Sequence, residues 1–199
     1  MKTTTKTRST EAIRLDAAAW TDAALELLAS NGIDGVRIEL LAKRLEVTKG
    51  SFYWHFKDRD ALHQAMLEQW RKSATLALIE RLDRGEASPE ARLRRLLRLP
   101  IMGQRSARAA DVELAVRLWG RREPRAQAAL EEIDQLRLRY ISGLMMQCGA
   151  DAPEAEARAI LAYSYMRVAA TLVATEARET MDRCEALLIG IRPSVEQAS

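Results

Sequence analysis

Apolar residues recur at helical spacing along almost the whole chain, and no useful length of it alternates apolar and polar residues with β-branched enrichment. The pattern predicts an all-α protein. From Glu11 to Ser30, Leu15, Ala19, Ala23 and Leu27 form a stripe with Trp20, Ala24 and Leu28 beside it, and Asn31-Gly32 supplies a C-cap. Asp34-Gly35 then permits a reversal. In the next segment Ile38, Leu41, Ala42 and Leu45 fall at i, i+3, i+4 and i+7, while Glu39, Lys43 and Arg44 face away. Thr48 is placed to cap a third helix, and Phe52 and Phe56 are spaced to anchor it. Residues 11 to 56 thus read as a small three-helix unit.

Beyond it, Asp58 is placed to cap a helix running through Leu62, Met66, Trp70, Ala74 and Leu78 to about Leu82. Ser88-Pro89 opens another, in the preferred order of cap and first-turn proline, and Pro100 stops it. Ile101 to Ala110 reads as a shorter helical or irregular piece. Asp111 begins a periodic stretch with Val112, Ala115, Val116 and Trp119, closed by Gly120. Pro124 starts a long helix that Gly149 ends, Asp151 to Glu154 resembles a capping box, and a last helix spans about Glu179 to Ile189. About nine helices are expected, with no internal repeat. The expected organisation is a flexible N-terminal arm (1–10), a three-helix unit (11–57) and a larger helical bundle (58–199).

With 199 residues and 48% hydrophobic content the chain can bury a sizeable core. No apolar run is long enough to span a bilayer, and the polar stretch Lys2 to Thr10 has no signal-peptide pattern, so a cytoplasmic protein without membrane contact is expected. Cys148 and Cys184 lie far apart without metal spacing and are expected to be small core or interface residues. The net charge is only +3, but six basic and three acidic residues between Val36 and Arg59 place that whole excess in one segment.

That segment has the mechanics of a helix-turn-helix, in which the second helix enters the major groove of DNA, a slot about 12 Å wide. Thr48, Lys49, Ser51, Tyr53, Trp54 and His55 offer hydroxyl, ammonium, phenol and imidazole groups there, and Gly50 permits close backbone approach to a phosphate. Lys57 and Arg59 add backbone contacts beside a helix N-terminus. In the arm, Lys2, Lys6 and Arg8 are most simply a solvated tail.

The run Val47-Thr48-Lys49-Gly50-Ser51-Phe52-Tyr53-Trp54-His55-Phe56, followed by Lys57-Asp58-Arg59-Asp60-Ala61-Leu62 and preceded by Leu41-Ala42, closely resembles the signature of the TetR family of bacterial transcriptional regulators. The resemblance covers the first third of the chain. It implies a homodimer that holds a palindromic operator in double-stranded DNA and releases it when a small-molecule effector enters the bundle, with Arg37 near phosphate at the start of helix 2. Two positions depart from the family. Glu46 stands where the turn usually has glycine, at a cost of about 1 kcal/mol if the turn is left-handed, and Val36-Arg37 replaces a preferred threonine.

The bundle carries no comparably specific motif. Met102, Trp119, Tyr140, Met145, Tyr163 and Met166 are candidates for lining an effector pocket, although such residues at helical spacing usually form core. By resemblance the last two helices form a dimer interface, for which Val168, Thr171, Leu172, Thr175, Leu187 and Leu188 offer surface. Arg92, Arg94, Arg95 and Arg98 read as a solvated helix face. His55 and His63 are the only histidines, and neither has metal-ligand spacing. No phosphate loop or nucleophile motif occurs, so no metal, cofactor or catalytic activity is expected. An alternative stays open: a helical dimer that binds a partner or small molecule without operator recognition, its motive being Glu46.

Overall fold

The computed structural model describes residues 16–85, 88–99, 104–172 and 178–190. Among them the secondary structure is helical throughout: α1 (Ala17–Asn31), a 3₁₀ turn (Ile33–Gly35), α2 (Ile38–Arg44), α3 (Lys49–Phe52), α4 (Arg59–Arg71), a π-helical turn (Lys72–Leu76), α5 (Ala77–Gly85), α6 (Pro89–Arg98), α7 (Gln104–Gly120), α8 (Pro124–Gln147), α9 (Ala152–Leu172) and α10 (Arg178–Ile189). Because α4, the π turn and α5 are continuous, they form one rod, and counting them so gives nine helices among the described residues, where about nine are expected.

The caps explain most boundaries. Asp58 Oδ1 accepts from Ala61 N at 2.9 Å, Ser88 Oγ from Ala91 N at 3.1 Å and Asp151 Oδ1 from Glu154 N at 2.9 Å, each satisfying an amide that the helix leaves unpaired. The helix expected from Glu11 starts instead at Ala17, because Asp16 Oδ1 caps it through Ala19 N at 2.9 Å; residues 11–15, Leu15 included, lie outside the described residues. The piece expected to be irregular before Ala110 belongs to a single helix from Gln104. Its residues 107–111 are exposed, so they carry no apolar stripe, while their Ala and Arg content favours helix.

Two hydrophobic cores form. The first unites Trp20, Leu28, Leu41, Phe52, Leu62 and Met66 with Val116, Trp119, Ala126 and Ile133, so it draws the later part of α7 and the start of α8 onto the N-terminal helices. The second packs Leu82, Leu93 and Leu97 with Ile141, Leu144, Met145, Ala159 and Ala162. Gly120 makes the α7–α8 corner possible, since a Cβ there would stand 2.6 Å from Leu130 Cδ1 and 3.3 Å from the Gln127 backbone.

Several side chains differ from expectation. The arginines of α6 are not merely solvated: Arg92 pairs with Asp83 and reaches Gln147, Arg94 pairs with Glu90, and Arg98 clasps Glu185 and Asp182 on α10 at 2.7 Å. Glu185 has a side chain only 1% exposed, so Arg98 supplies the charge that its burial requires. Cys148 is exposed after the end of α8 rather than in a core, and Cys184 is half-buried.

Glu46 adopts φ 56°, the only positive φ at a non-glycine among the described residues. Its amide donates to Lys43 O at 3.3 Å and that of Val47 to Ala42 O at 2.9 Å, which is the Schellman closure of α2 with glutamate at the left-handed position. Replacing Glu46 by glycine removes the Cβ strain and is expected to stabilise the protein by about 1 kcal/mol, a rise of roughly 2–4 °C in Tm for a chain of this size. Thermal unfolding of Glu46→Gly beside wild type measures it; an unchanged or lower Tm would show that the turn is not strained.

Candidate nucleic-acid interface

The segment singled out above is held from behind by aromatic packing. α3 is a single turn, too short to persist alone. Phe52, fully buried, meets the Trp20 ring edge-on at 5.4 Å and stacks on Phe56 at 5.4 Å with 29° between planes. α2 braces it through buried Leu41 and Ala42, with Ile38, Leu45 and Val47 partly buried against the same core.

On the outer side, Thr48, Lys49, Gly50, Tyr53, Trp54, His55 and Lys57 are all exposed and Ser51 is half-buried. Tyr53 is 61% and Trp54 88% exposed, an unusual cost in uncovered aromatic area for neighbouring side chains. Only Lys49 to Phe52 are α-helical; Tyr53, Trp54 and His55, expected on the helix itself, continue it as a turn in which His55 N donates to Phe52 O at 2.9 Å. Thr48 has the extended backbone of an N-cap but makes no side-chain capping bond, so its hydroxyl is not committed to the helix. A Cβ on Gly50 would meet only Thr48 Oγ1 at 3.7 Å, so no internal contact requires glycine there.

Three of the basic site candidates have internal partners. Lys49 Nζ pairs with Glu39 Oε1 at 2.8 Å, both side chains about three-fifths exposed, and this hydrogen bond holds the Glu39 carboxyl below its ordinary pKa. Arg37 Nε donates to Asp34 O at 3.2 Å, while the arginine itself is exposed at the start of α2. Arg59 is the most committed: Nη2 donates to Ile33 O at 3.0 Å and Nε to His63 Nε2 at 3.2 Å. It therefore ties α4 to the 3₁₀ turn that follows α1.

His63, set aside in the sequence for want of metal-ligand spacing, takes part in the contact between α4 and α7. It is buried edge-on against Trp119, centroids 5.1 Å apart, where α4 meets α7. Burial lowers its pKa, and Arg59 lowers it further; Asp60 and Glu123 oppose this and Arg125 adds to it. An Nε2 that accepts from a guanidinium has to be unprotonated.

Four of the pocket candidates gather in the second core, where Met145, Tyr163 and Met166 are buried and Tyr140 packs against them, whereas Trp119 belongs to the first. Tyr140 Oη donates to Asp83 Oδ1 at 2.8 Å, and burial together with that carboxylate pushes its pKa up to about 12. Tyr163 sits in an ionic cluster with Arg117, Arg137 and Asp134. Met102 lies outside the described residues. Open clefts occur elsewhere, one of about 470 Å³ between α1, α4 and α7, lined by Glu26, Trp70 and Arg108, and one of about 300 Å³ between the end of α1 and α7.

Of the interface candidates, Val168 is 45% and Leu187 80% exposed and Leu188 half-buried. Thr175 and the side chains of Thr171 and Leu172 lie outside the described residues. Ile160 and Leu161, 57% and 60% exposed on the same helix as Val168, extend that apolar surface and were missed. Their i, i+1 placement does not distinguish an exposed stripe from a buried one.

A buried aromatic anchor beneath a basic, aromatic outer face, braced by a second helix through a tight turn, defines a helix-turn-helix domain. Residues 21–66 match the family model described as "Bacterial regulatory proteins, tetR family". The Escherichia coli tetracycline repressor protein class D is 43% identical over 53 residues, 27% of this chain and 24% of the repressor, so the likeness spans about a quarter of the curated relatives' length. Similar folds extend further. A transcriptional regulator from Rhodococcus sp. Rha1 superposes with TM-score 0.68 at 22% identity, over 88% of this chain and 95% of its own, and AibR, solved with isovaleryl coenzyme A and operator DNA, with TM-score 0.63 at 15% identity over 87% and 96%. The helix-turn-helix segment is thus similar to that of the tetR family of bacterial regulatory proteins, and the fold of the chain to that of solved regulators.

The His63 geometry sets a pH dependence. With the folded-state pKa below the unfolded value of about 6.5, the unfolded chain binds the proton first. The neutral contact therefore contributes fully above that value, and stability falls as pH drops from there through the folded-state pKa. His63→Gln is expected to remove this component from the pH profile of urea unfolding; an unaltered acid slope would show that His63 is not its source.

Proposed function

We propose that the protein is a dimeric, ligand-responsive DNA-binding transcriptional regulator, most simply a repressor, that grips a palindromic operator with the 11–57 unit and receives a small-molecule effector in the 58–199 bundle. The carrying observation is the exposed face of α3 and the turn after it. Tyr53 and Trp54 stand in water above an otherwise well-buried aromatic anchor, beside Thr48, Lys49, Ser51 and His55. A solvent-facing turn would have no use for them, but a helix presented to the major groove would. Gly50 then serves close backbone approach to phosphate, which agrees with the open space around it. Arg37 and Lys57 contact the DNA backbone, and Arg59 contributes from the base of α4 with the N–H groups that Ile33 and His63 leave over.

Dimerisation uses α9 and α10, where Ile160, Leu161, Val168 and Leu187 place large apolar side chains in water in a single chain. Two recognition helices must match a DNA repeat of roughly 34 Å, so a movement of the α4–α5 rod that changes their separation releases the operator. The reading without operator recognition rested on Glu46, and the turn closes there with its usual pair of hydrogen bonds.

Binding selected from random DNA is expected to yield a palindrome, with affinity falling steeply as salt rises. Lys49→Ala should weaken binding to all sequences and flatten the salt dependence by about one phosphate contact, while Tyr53→Ala should cost about 1–3 kcal/mol on the selected site only. No preference for any palindrome over random duplex would refute the regulator. Leu161→Asp with Leu187→Asp is expected to give a monomer by light scattering that keeps its helical circular dichroism and no longer binds the full palindrome; a persisting dimer would place the interface elsewhere.

A further inference from the structure

Between α7, α8 and α9, and touching the π turn after α4, lies an ionic cluster that neither core explains. Glu113 is 5% exposed, yet three guanidinium groups converge on its Oε1: Arg117 Nη2 at 2.9 Å, Arg137 Nη1 at 2.7 Å and Arg167 Nη1 at 2.8 Å. Arg137 Nη2 also reaches Oε2 at 2.9 Å, completing a bidentate fork on the carboxylate. Arg117 turns to Asp134 as well, at 2.6 and 2.9 Å, and Tyr163 Oη joins Arg117, Arg137 and Asp134. Burial alone would raise the Glu113 carboxyl, but the hydrogen bond and charge of Arg137, then the charges of Arg167 and Arg117, hold it down at about 2.

The cluster is over-supplied with cationic donors. Among the described residues three arginines face two carboxylates in this cluster, an excess of positive charge at a largely buried site. The Nε atoms of Arg117 and Arg167 are buried and meet no hydrogen-bond partner among the described residues, each a donor of the kind folded proteins rarely leave unmet. These two arginines are also the open side: their side chains are 32% and 29% exposed, against 12% for Arg137 and 6% for Glu113. A network that served stability alone would match its charges and close over them.

We propose that this cluster is the effector's anion site, that the effector is an organic carboxylate, and that Glu113 occupies the carboxylate position while the site is empty. The inference rests on reading the bundle as an effector domain. An incoming carboxylate enters between Arg117 and Arg167, takes up their free Nε–H groups and competes with Glu113 for the shared guanidinium fork. Arg137 passes the change on, since its Nε donates to Thr75 Oγ1 at 3.0 Å inside the π turn that joins α4 to α5. Such turns often mark functional positions in helices.

Acetate, benzoate and inorganic phosphate are the probes, titrated into the full chain by calorimetry and by ¹⁵N NMR of the arginine Nε–H groups. Benzoate is expected to bind wild type and to move the Arg117 and Arg167 Nε resonances. It should bind Glu113→Gln at least tenfold more tightly and Arg167→Gln at least tenfold more weakly. Equal affinity for wild type and both variants, unmoved Nε resonances across the solubility range of benzoate, or phosphate binding more tightly than either carboxylate would overturn the proposal. If Glu113→Gln does not fold, the Arg167→Gln comparison and the wild-type NMR titration decide alone. Operator binding is assayed separately: carboxylate binding in a protein that ignores DNA leaves this inference standing and removes the regulator, whereas operator binding without carboxylate binding does the reverse.

Discussion

A four-residue helix cannot hold its own shape, and the outer face of this protein depends on one. Its conformation is imposed from below by Phe52, which is locked between Trp20 of α1 and Phe56 at the entry to α4. Those contacts bury the anchor completely while the next two residues, Tyr53 and Trp54, remain in water. Backbone nucleation for so short a segment is unfavourable, so the aromatic packing supplies the order that the helix lacks. Any partner that reads Thr48 to His55 therefore meets a surface fixed in advance, with little entropy left to lose on binding.

α7 is the second organising element, because it joins the first core to the ionic cluster. Val116 and Trp119 close the first, beside His63 of α4, while Glu113 and Arg117 on the same helix build the ionic cluster with α8 and α9. Packed side chains on α7 thus connect the ionic cluster with α4, and α4 is tied to the 3₁₀ turn by Arg59. The two ends differ in chemistry: aromatic and aliphatic packing beside α3, and paired charges inside the bundle.

The helix-turn-helix was legible in the sequence because its determinants are local. Ile38, Leu41, Ala42 and Leu45 mark one helix face within eight residues, Phe52 and Phe56 lie four apart, and the left-handed position at Glu46 is where the family resembled has its turn glycine. Caps at Asp58, Ser88 and Asp151 were equally local and fell where expected. Two boundaries were misjudged where the local signal was silent: the first turns of α7 face water and carry no stripe, and Asp16 was hidden among earlier residues that also suit a helix. The TetR signature covers these same N-terminal residues.

The bundle's interior was not legible. Glu113 and Arg117 are one helical turn apart, a spacing that does not mark them as buried, and Arg137 and Arg167 join them from helices 24 and 54 residues away from Glu113. His63 likewise gains its meaning from Trp119, 56 residues on. By itself the sequence determined most of the helices, their caps and the outward face of α3 and the turn after it, because these depend on residues within one or two turns of each other. Which charges become buried, and that Tyr163 belongs to a hydrophobic core while its hydroxyl joins an ionic cluster, was decided only by tertiary packing. The energy of a buried charge depends on every neighbour the fold brings to it, and spacing along the chain does not record them.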